Sequence, residues 1–171
     1  LLEEAGYDFE IIAADIDESL DLNLTPYDNV KALGLKKASF QKENYYGNIL
    51  LGCDTIVVLD GDIYGKPHSE EEAYSMLNKL SGKTHQVMSG VGIIYKETVF
   101  NFVCTSYVTF KKLTDQQIKA YIHTRECFGK AGSYAIQGIG KTLIESYKGS
   151  LKNIIGLPME EIKKVLDETA A

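Results

Sequence analysis

A single carboxylate interrupts the most apolar run of the sequence. Asp54 lies within residues 49–59, where aliphatic and β-branched side chains predict a buried strand. A carboxylate is costly to bury without a partner. Two interpretations therefore stay open. Asp54 is exposed at the edge or end of a strand, or it lies at a cleft where it binds a metal or deprotonates water.

Three further acidic residues follow a second apolar segment. Residues 9–14 are predicted to form a short buried strand, and Asp15, Asp17 and Glu18 come directly after it. Open α/β sheets commonly bind ligands at the carboxyl ends of their strands. The alternative is a solvated acidic turn, which these residues favour when taken alone.

Two lysines and a glycine-rich segment are candidates for binding a polyanion. Lys66 lies in Gly-Lys-Pro at the end of a predicted strand, and Lys37 lies on a predicted helix. Each ammonium can neutralise a phosphate, although a solvated lysine is the ordinary alternative. Residues 130–140 are rich in small side chains that allow close backbone approach to a ligand, or close packing of a structural loop. Gln137 carries a donor and an acceptor that can read a base edge.

Two known phosphate motifs are matched only weakly. Residues 15–17 are similar to the aspartyl nucleophile of haloacid-dehalogenase-type phosphatases, but no convincing later pair of acidic residues for magnesium follows. Residues 135–142 match a relaxed phosphate loop without the apolar strand before it or the long helix after it. Residues 81–84 lack the required glycine, because Leu77 occupies its position. We rank the first motif low and interpret both phosphate-loop matches as coincidence.

The composition limits the class of protein. The chain has 171 residues, of which 44% are hydrophobic and 25% charged, as in a single globular domain. A formal net charge of -6 argues against a broad basic surface for long nucleic acid, but a small polyanion is compatible with it. No apolar run is long enough to span a membrane. Three widely spaced cysteines fit reduced thiols, so we expect a cytoplasmic protein.

Caps and periodicity predict the elements that position these residues. The order of elements predicts an α/β or α+β fold with a mixed sheet. The predicted elements are a helix from Thr25-Pro26 to about Phe40, a hairpin turn at 60–62, a helix from 69 to 80 with a Ser69/Glu72 capping box, strands at 85–95 and 99–110, a helix from Thr114 to about 123 with a Thr114/Gln117 capping box, and a final helix from Leu157-Pro158.

The chain begins abruptly. Leu1, Leu2 and Ala5 are predicted to form one face of a helix that stops at Gly6, a favourable residue after a helix end. No capping residue precedes them. We therefore expect that a strand, a loop and the start of this helix are missing from the sequence.

Taken in chain order, the motifs resemble those of the Maf-like septum-formation proteins, nucleoside triphosphate pyrophosphatases related to inosine triphosphatases. Each motif is weak alone, whereas the ordered set is specific and spans nearly the whole chain. The matching pieces are Leu-Leu-x-x-x-Gly at 1–6, Asp-x-Asp-Glu-Ser at 15–19, Lys37-Ala38, Asp54-Thr55-Ile56-Val57, Gly65-Lys66-Pro67, and the segments 81–87, 130–138 and 149–158.

The resemblance implies an α/β fold in which helices flank a mixed, twisted sheet, in an elongated two-lobed molecule with a central cleft. It implies one domain over residues 1–171, whose N-terminal strand and phosphate loop are missing. It further implies hydrolysis of a nucleoside triphosphate to a monophosphate and pyrophosphate, with magnesium or manganese as cofactor. A homodimer is a frequent assembly in the family.

The resemblance also implies roles for individual residues. Asp54 matches the proton acceptor, and with Glu18 it would hold the divalent cation. Lys66 and Lys37 match phosphate-site residues, with Lys66 counted among the catalytic groups. Thr55 and Gln137 match positions that select the base, and this pair is similar to the branch that prefers dTTP and UTP.

Two features depart from the family pattern. The loop Ser-x-Ser-Pro-Arg-Arg, expected before Leu1, is absent from the sequence. Residues 125–129 replace the usual Gly-Glu-Pro-x-Asp and keep only Glu126. The absent loop motivates an alternative function, a non-catalytic nucleotide-binding regulator of cell division on the same scaffold.

Overall fold

A five-stranded sheet in the order β2-β1-β3-β4-β5 is the framework of the fold. The computed structural model describes residues 1–170. The helices are α1 (Pro26–Ser39), α2 (Glu70–Leu80), α3 (Asp115–His123), α4 (Leu151–Ile155) and α5 (Met159–Ala170). The strands are β1 (Ile49–Leu59), β2 (Asp62–Tyr64), β3 (Thr84–Tyr95), β4 (Thr98–Phe110) and β5 (Ile144–Lys148). Helices are interspersed among the strands along the chain and flank the sheet, which confirms the α/β class.

The predicted hairpin turn joins β1 to β2. These strands pair antiparallel, with Val58 opposite Ile63. Asp60 and Gly61 have φ angles of 51° and 83°, the left-handed conformations of a tight two-residue hairpin turn. At the other end of the sheet β4 and β5 also pair antiparallel. Both edge strands of the sheet therefore run antiparallel to their neighbours.

Side-chain caps start three helices at the predicted positions. Thr25 accepts a hydrogen bond from the Asp28 amide, and Thr114 forms a complete capping box with Gln117. Ser69 accepts from the Glu72 amide at 3.1 Å. The reciprocal half of that predicted box is wrong, because the Glu72 carboxylate accepts from the amide of His68 at 3.3 Å instead. The glutamate therefore satisfies the amide one residue before the cap.

The predicted strand at residues 9–14 is absent. These residues belong to no helix or strand of the described chain, and Phe9 and Ile11 are 44% and 84% exposed. An apolar run of this length predicts a strand only if a neighbouring strand completes its hydrogen bonds. Upstream, the Ala5 amide donates to the Leu1 carbonyl and Gly6 has a φ of 83°. The predicted stop at Gly6 is confirmed, after a single turn rather than a helix.

The first of two compact units comprises Leu1–Thr55, Ser89–Cys104 and the chain from Gly156 onward. Its core contains Val91, Ile93, Ile162 and Leu166. Here α1 lies directly on the strands. A β-carbon added to Gly52 would come within 2.3 Å of the Ala38 nitrogen, and one on Gly90 within 1.8 Å of the Val30 carbonyl oxygen. Only glycine permits this approach of helix to sheet.

The second unit comprises Ile56–Met88 and Thr105–Ile155. Its core includes Leu77 and Leu80 from α2, Ile118 from α3 and Phe110 from β4, each no more than 1% exposed. His85 is also buried in this unit, where its Nε2 lies 2.7 Å from the Tyr134 hydroxyl. Among residues 1–170, no helix has the length and apolarity that a membrane crossing requires.

Candidate active site

Three charged side chains from distant parts of the first unit meet at one point. The Lys37 ammonium lies 3.0 Å from Oε1 of Glu18 and 2.8 Å from Oδ1 of Asp54. Glu18 comes from the segment before α1, Lys37 from the last turn of α1 and Asp54 from the middle of β1. The sequence singled out all three residues, and the structure brings them together.

The close contact between α1 and β1 produces this meeting. Gly34 and Gly52 present no side chain where the two elements touch, and a β-carbon on Gly52 would lie 2.4 Å from the Gly34 carbonyl oxygen. Lys37 lies three residues after Gly34 on α1, and Asp54 lies two residues after Gly52 on β1. The close approach of the two elements therefore lets the Lys37 ammonium reach the Asp54 carboxylate. In the structure Asp54 is a partly buried, paired carboxylate with 23% of its side chain exposed. Its role in binding a metal or deprotonating water stays a prediction.

The charge of the cluster favours a cation. Burial acts to lower the pKa of Lys37, but its hydrogen bonds to Asp54 and Glu18 outweigh burial and raise that pKa. Lys37 is therefore an ammonium at neutral pH. The formal charges of two carboxylates and one ammonium sum to one net negative charge, at a place where the side chain of Glu18 is half exposed.

A second lysine fixes the segment that carries Glu18. The Lys36 ammonium donates to the Asp17 carbonyl oxygen at 2.6 Å. The Asp17 carboxylate accepts from the Ser19 amide at 2.9 Å and from its hydroxyl, and these hydrogen bonds lower the pKa of Asp17. Glu18 thus lies between two residues whose conformation is fixed locally. Lys36 was not among the residues singled out from the sequence, although its place beside Lys37 in the last turn was a usable signal.

The donor set fits a hard divalent cation. Glu18 and Asp54 each contact Lys37 through one oxygen, so each carboxylate retains a second oxygen. Magnesium is commonly held by one or two carboxylates and completes its shell with water and substrate phosphates. Across the described residues 1–170, no group of three or more His, Cys, Asp or Glu side chains is arranged around a metal position. The remaining ligands would therefore be water or an anionic ligand.

Thr55, beside the cluster on β1, is already held by the first unit. Its hydroxyl lies 2.8 Å from the Ser89 hydroxyl and 3.3 Å from the Gly156 carbonyl oxygen. The Cys53 thiol lies 3.4 Å from the same carbonyl, and burial raises the pKa of Cys53 to about 12. Thr55 therefore has a fixed orientation, and its role in base selection stays a prediction.

Lys66 and Gln137 belong to the second unit, where both are exposed. Lys66 follows β2, and the carbonyl of its neighbour Gly65 accepts a hydrogen bond from the Gly132 amide at 3.1 Å. This bond ties the strand end that carries Lys66 to the glycine-rich segment that carries Gln137. The proposed roles of Lys66 in phosphate binding and of Gln137 in base selection stay predictions.

The glycine-rich segment is not a phosphate loop. A 3₁₀ helix (Ile139–Leu143) and then β5 follow it, instead of a long α-helix. Two of its amides are occupied by a side chain: Ile139 and Gly140 each donate to the Glu126 carboxylate at 2.8 Å. The other candidate, residues 81–84, leads into β3. The interpretation of both matches as coincidence is confirmed.

Comparison with known proteins identifies the family of this chain. The family described as "Maf-like protein" matches residues 1–169. A protein of Ruminiclostridium cellulolyticum named dTTP/UTP pyrophosphatase is 42% identical over 98% of this chain and 89% of its own length. Two Bacillus cereus proteins of the same name are 42% and 44% identical over 98% of this chain and 88% of theirs. The chain therefore belongs to the Maf-like protein family.

Proposed function

We propose that this chain is a nucleoside triphosphate pyrophosphatase that hydrolyses dTTP and UTP to the monophosphate and pyrophosphate. The contacts of Lys37 with Glu18 and Asp54 carry the proposal. They place a proton acceptor, an ammonium group and carboxylate oxygens within one cluster. Relatives named dTTP/UTP pyrophosphatase, at 42–44% identity, support the substrate class.

Asp54 acts as the proton acceptor. Its Oδ1 is held by Lys37 at 2.8 Å, which leaves Oδ2 to orient a water molecule. The water oxygen attacks the α-phosphorus while its proton passes to Asp54. The bond from the α-phosphorus to the bridging oxygen breaks, and pyrophosphate leaves with that oxygen. A positioned general base of this kind typically contributes about 10²–10⁴-fold to the rate.

Glu18 and Asp54 would hold the divalent cation, magnesium or manganese. When bound, it would neutralise phosphate charge and polarise the attacked phosphorus. The Lys37 ammonium contacts both carboxylates and offsets their mutual repulsion, so that their second oxygens stay oriented. Hard oxygen donors of this type suit magnesium and manganese better than softer metals.

By the family resemblance, Lys66 would act as a point charge for phosphate oxygens, and Gln137 would read the base edge. Thr55 is the second base-selecting residue, with its hydroxyl fixed by Ser89 and Gly156. The resemblance further predicts a cytoplasmic homodimer. Equilibrium sedimentation of the full-length protein tests the assembly.

The proposal is tested by pyrophosphate release from a nucleotide panel with magnesium present. We expect dTTP and UTP to be the best substrates, with one pyrophosphate formed for each monophosphate. Release of orthophosphate instead would show attack at the γ-phosphorus and overturn the proposed reaction. Tight binding of dTTP without any release would favour the non-catalytic regulator.

A further inference from the structure

We propose that Glu126 is a positioning residue that fixes the Gln137 loop, residues 135–140, and thereby sets base selectivity. The inference rests on the proposed function, in which Gln137 reads the base. Glu126 lies outside the cluster of Glu18, Lys37 and Asp54, and the inference gives it a role in nucleotide selectivity.

The Glu126 carboxylate accepts three hydrogen bonds. Its Oε2 accepts from the Ile139 amide at 2.8 Å, and its Oε1 accepts from the Gly140 amide and the Tyr121 hydroxyl, both at 2.8 Å. Adjacent backbone amides that converge in this way form a typical anion-binding concavity. Here the bound anion is a side chain of the protein, so these amides are not free to bind substrate phosphate.

Tyr121 extends the same contact to the other end of the loop. Its hydroxyl accepts from the Ala135 amide at 3.2 Å and donates to Glu126. Its side chain is rigidly placed in the core, with only 3% exposed. The Gln137 loop is thus held on both sides of Gln137, at residue 135 by Tyr121 and at residues 139 and 140 by Glu126.

Two glycines are required by this arrangement. A β-carbon on Gly138 would lie 2.4 Å from Oε2 of Glu126. A β-carbon on Gly140 would lie 2.5 Å from the Ala135 carbonyl oxygen and 3.0 Å from the Tyr121 hydroxyl. The pattern Gln-Gly-x-Gly is therefore explained by packing against Glu126 and Tyr121, without any phosphate.

Glu126 performs this role as a charged carboxylate. Burial acts to raise its pKa, but hydrogen bonds from the Gly140 and Ile139 amides and from Tyr121 outweigh burial and lower it. Hydrogen bonds to a charged acceptor are the stronger class. Gln137 is exposed between the two held ends, so its direction is set by the backbone that Glu126 fixes.

The first test is Glu126→Gln, which keeps the size of the side chain. It replaces the charged acceptor of the Ile139 and Gly140 backbone amides with an uncharged carboxamide. Catalytic efficiency is compared for dTTP and dCTP with magnesium. We expect the dTTP preference to fall by about 10-fold, the scale of a lost charged hydrogen bond. Glu145→Gln is the matched control, because Glu145 is exposed on β5 of the same unit.

A second variant covers the case in which Glu126→Gln fails to fold. Tyr121→Phe keeps the buried ring and removes only the hydroxyl that joins Ala135 to Glu126. We expect a smaller fall in selectivity, about 3-fold.

Hydrogen exchange should show faster exchange of the Ile139 and Gly140 amides in Glu126→Gln, a readout that requires no catalysis.

A double-mutant cycle separates positioning from general stability. If Glu126 acts through Gln137, Glu126→Gln lowers selectivity in the wild-type background and has little further effect beside Gln137→Ala. Folded variants with unchanged dTTP/dCTP ratios and a lower melting temperature would show a purely structural role and overturn the inference.

The proposed function can fail separately from this inference. If the wild-type protein releases no pyrophosphate, the ratio of dTTP to dCTP dissociation constants is measured by calorimetry in the same variants. A binding preference that falls in Glu126→Gln supports the inference without catalysis. Absence of any base preference in the wild-type protein overturns it.

Discussion

The Asp54 carboxylate and the Lys37 ammonium lie 2.8 Å apart, each with less than a quarter of its side chain exposed. Removing Lys37 would leave the partly buried Asp54 carboxylate without its ion-pair partner. The two residues therefore depend on each other, and Glu18 completes the set at 3.0 Å from the same ammonium. Variants of the three residues should differ in kind, because each contributes a different chemical function.

Asp54→Asn should abolish the chemical step without unfolding the protein. The asparagine oxygen can still accept from Lys37, but the side chain can no longer take a proton from water. We expect pyrophosphate release from dTTP to fall by about 10²–10⁴-fold while dTTP still binds. Steady-state turnover together with calorimetric titration measures both effects. Normal turnover would show that the assigned base is wrong.

Lys37→Met should reduce both activity and stability. It leaves Glu18 and Asp54 facing each other without the ammonium between them, and their repulsion would displace both side chains. We expect turnover to fall by about 10-fold or more, with a lower melting temperature. Lys163→Met is the control, because Lys163 is an exposed lysine on α5 of the same unit. Equal effects in both variants would contradict a special role for Lys37.

Lys36→Gln should affect catalysis indirectly. The shorter, uncharged side chain loses the 2.6 Å hydrogen bond to the Asp17 carbonyl and loosens the segment that carries Glu18. We expect a fall of about 3-fold to 10-fold in turnover, which Lys36→Arg should partly restore. A Lys36→Gln protein with wild-type turnover at limiting magnesium would show that this contact does not position Glu18.

Glu18→Gln should weaken the response to the divalent cation. The substitution removes one of the two carboxylates that would hold magnesium. The magnesium concentration needed for half-maximal turnover should therefore rise by about 10-fold. The measurement is pyrophosphate release during a magnesium titration, after the protein has been treated with EDTA. Full activity of the wild-type protein in EDTA would contradict a required cation.

Local signals in the sequence predicted the helices well. Thr25 and Thr114 cap their helices as predicted, because a capping side chain contacts amides only two or three residues away. The failures depend on distant contacts. Residues 9–14 look like a strand but find no strand partner, whereas β5, which was not predicted, has four exposed residues of five and is held by its pairing with β4.

The candidate site shows the same difference between local signals, which the sequence reveals, and distant contacts, which it does not. Asp54 was detectable because a carboxylate in an apolar run requires a physical explanation. The contact of Asp54 with Lys37 could not be detected in the sequence, because it depends on the glycines that let α1 approach β1. Glu126 was noticed only as a retained residue of an altered motif. Its hydrogen bonds to Ile139 and Gly140 connect positions thirteen and fourteen residues apart through a fold that sequence patterns do not specify.

His85 should make the protein sensitive to acid. It is only 1% exposed, in edge contact with the Phe110 and Tyr134 rings, and its Nε2 lies 2.7 Å from the Tyr134 hydroxyl. Among the described residues, no group forms a hydrogen bond with its Nδ1. Burial therefore lowers the pKa of His85 from 6.5 to about 4, because the imidazolium would have to be accommodated in an apolar core.

The direction of the effect follows from that lowered pKa. The core holds the neutral ring, so the contribution of His85 is fully present above pH 6.5, the ordinary value, and is lost as the pH falls towards about 4. The loss amounts to about 3 kcal/mol of the free energy of unfolding. Urea unfolding followed by circular dichroism between pH 7.5 and about 4 measures it. His85→Gln should flatten this dependence, whereas His123→Gln, at an exposed position on α3, should not. An unchanged pH dependence in His85→Gln would show that other groups cause the acid sensitivity.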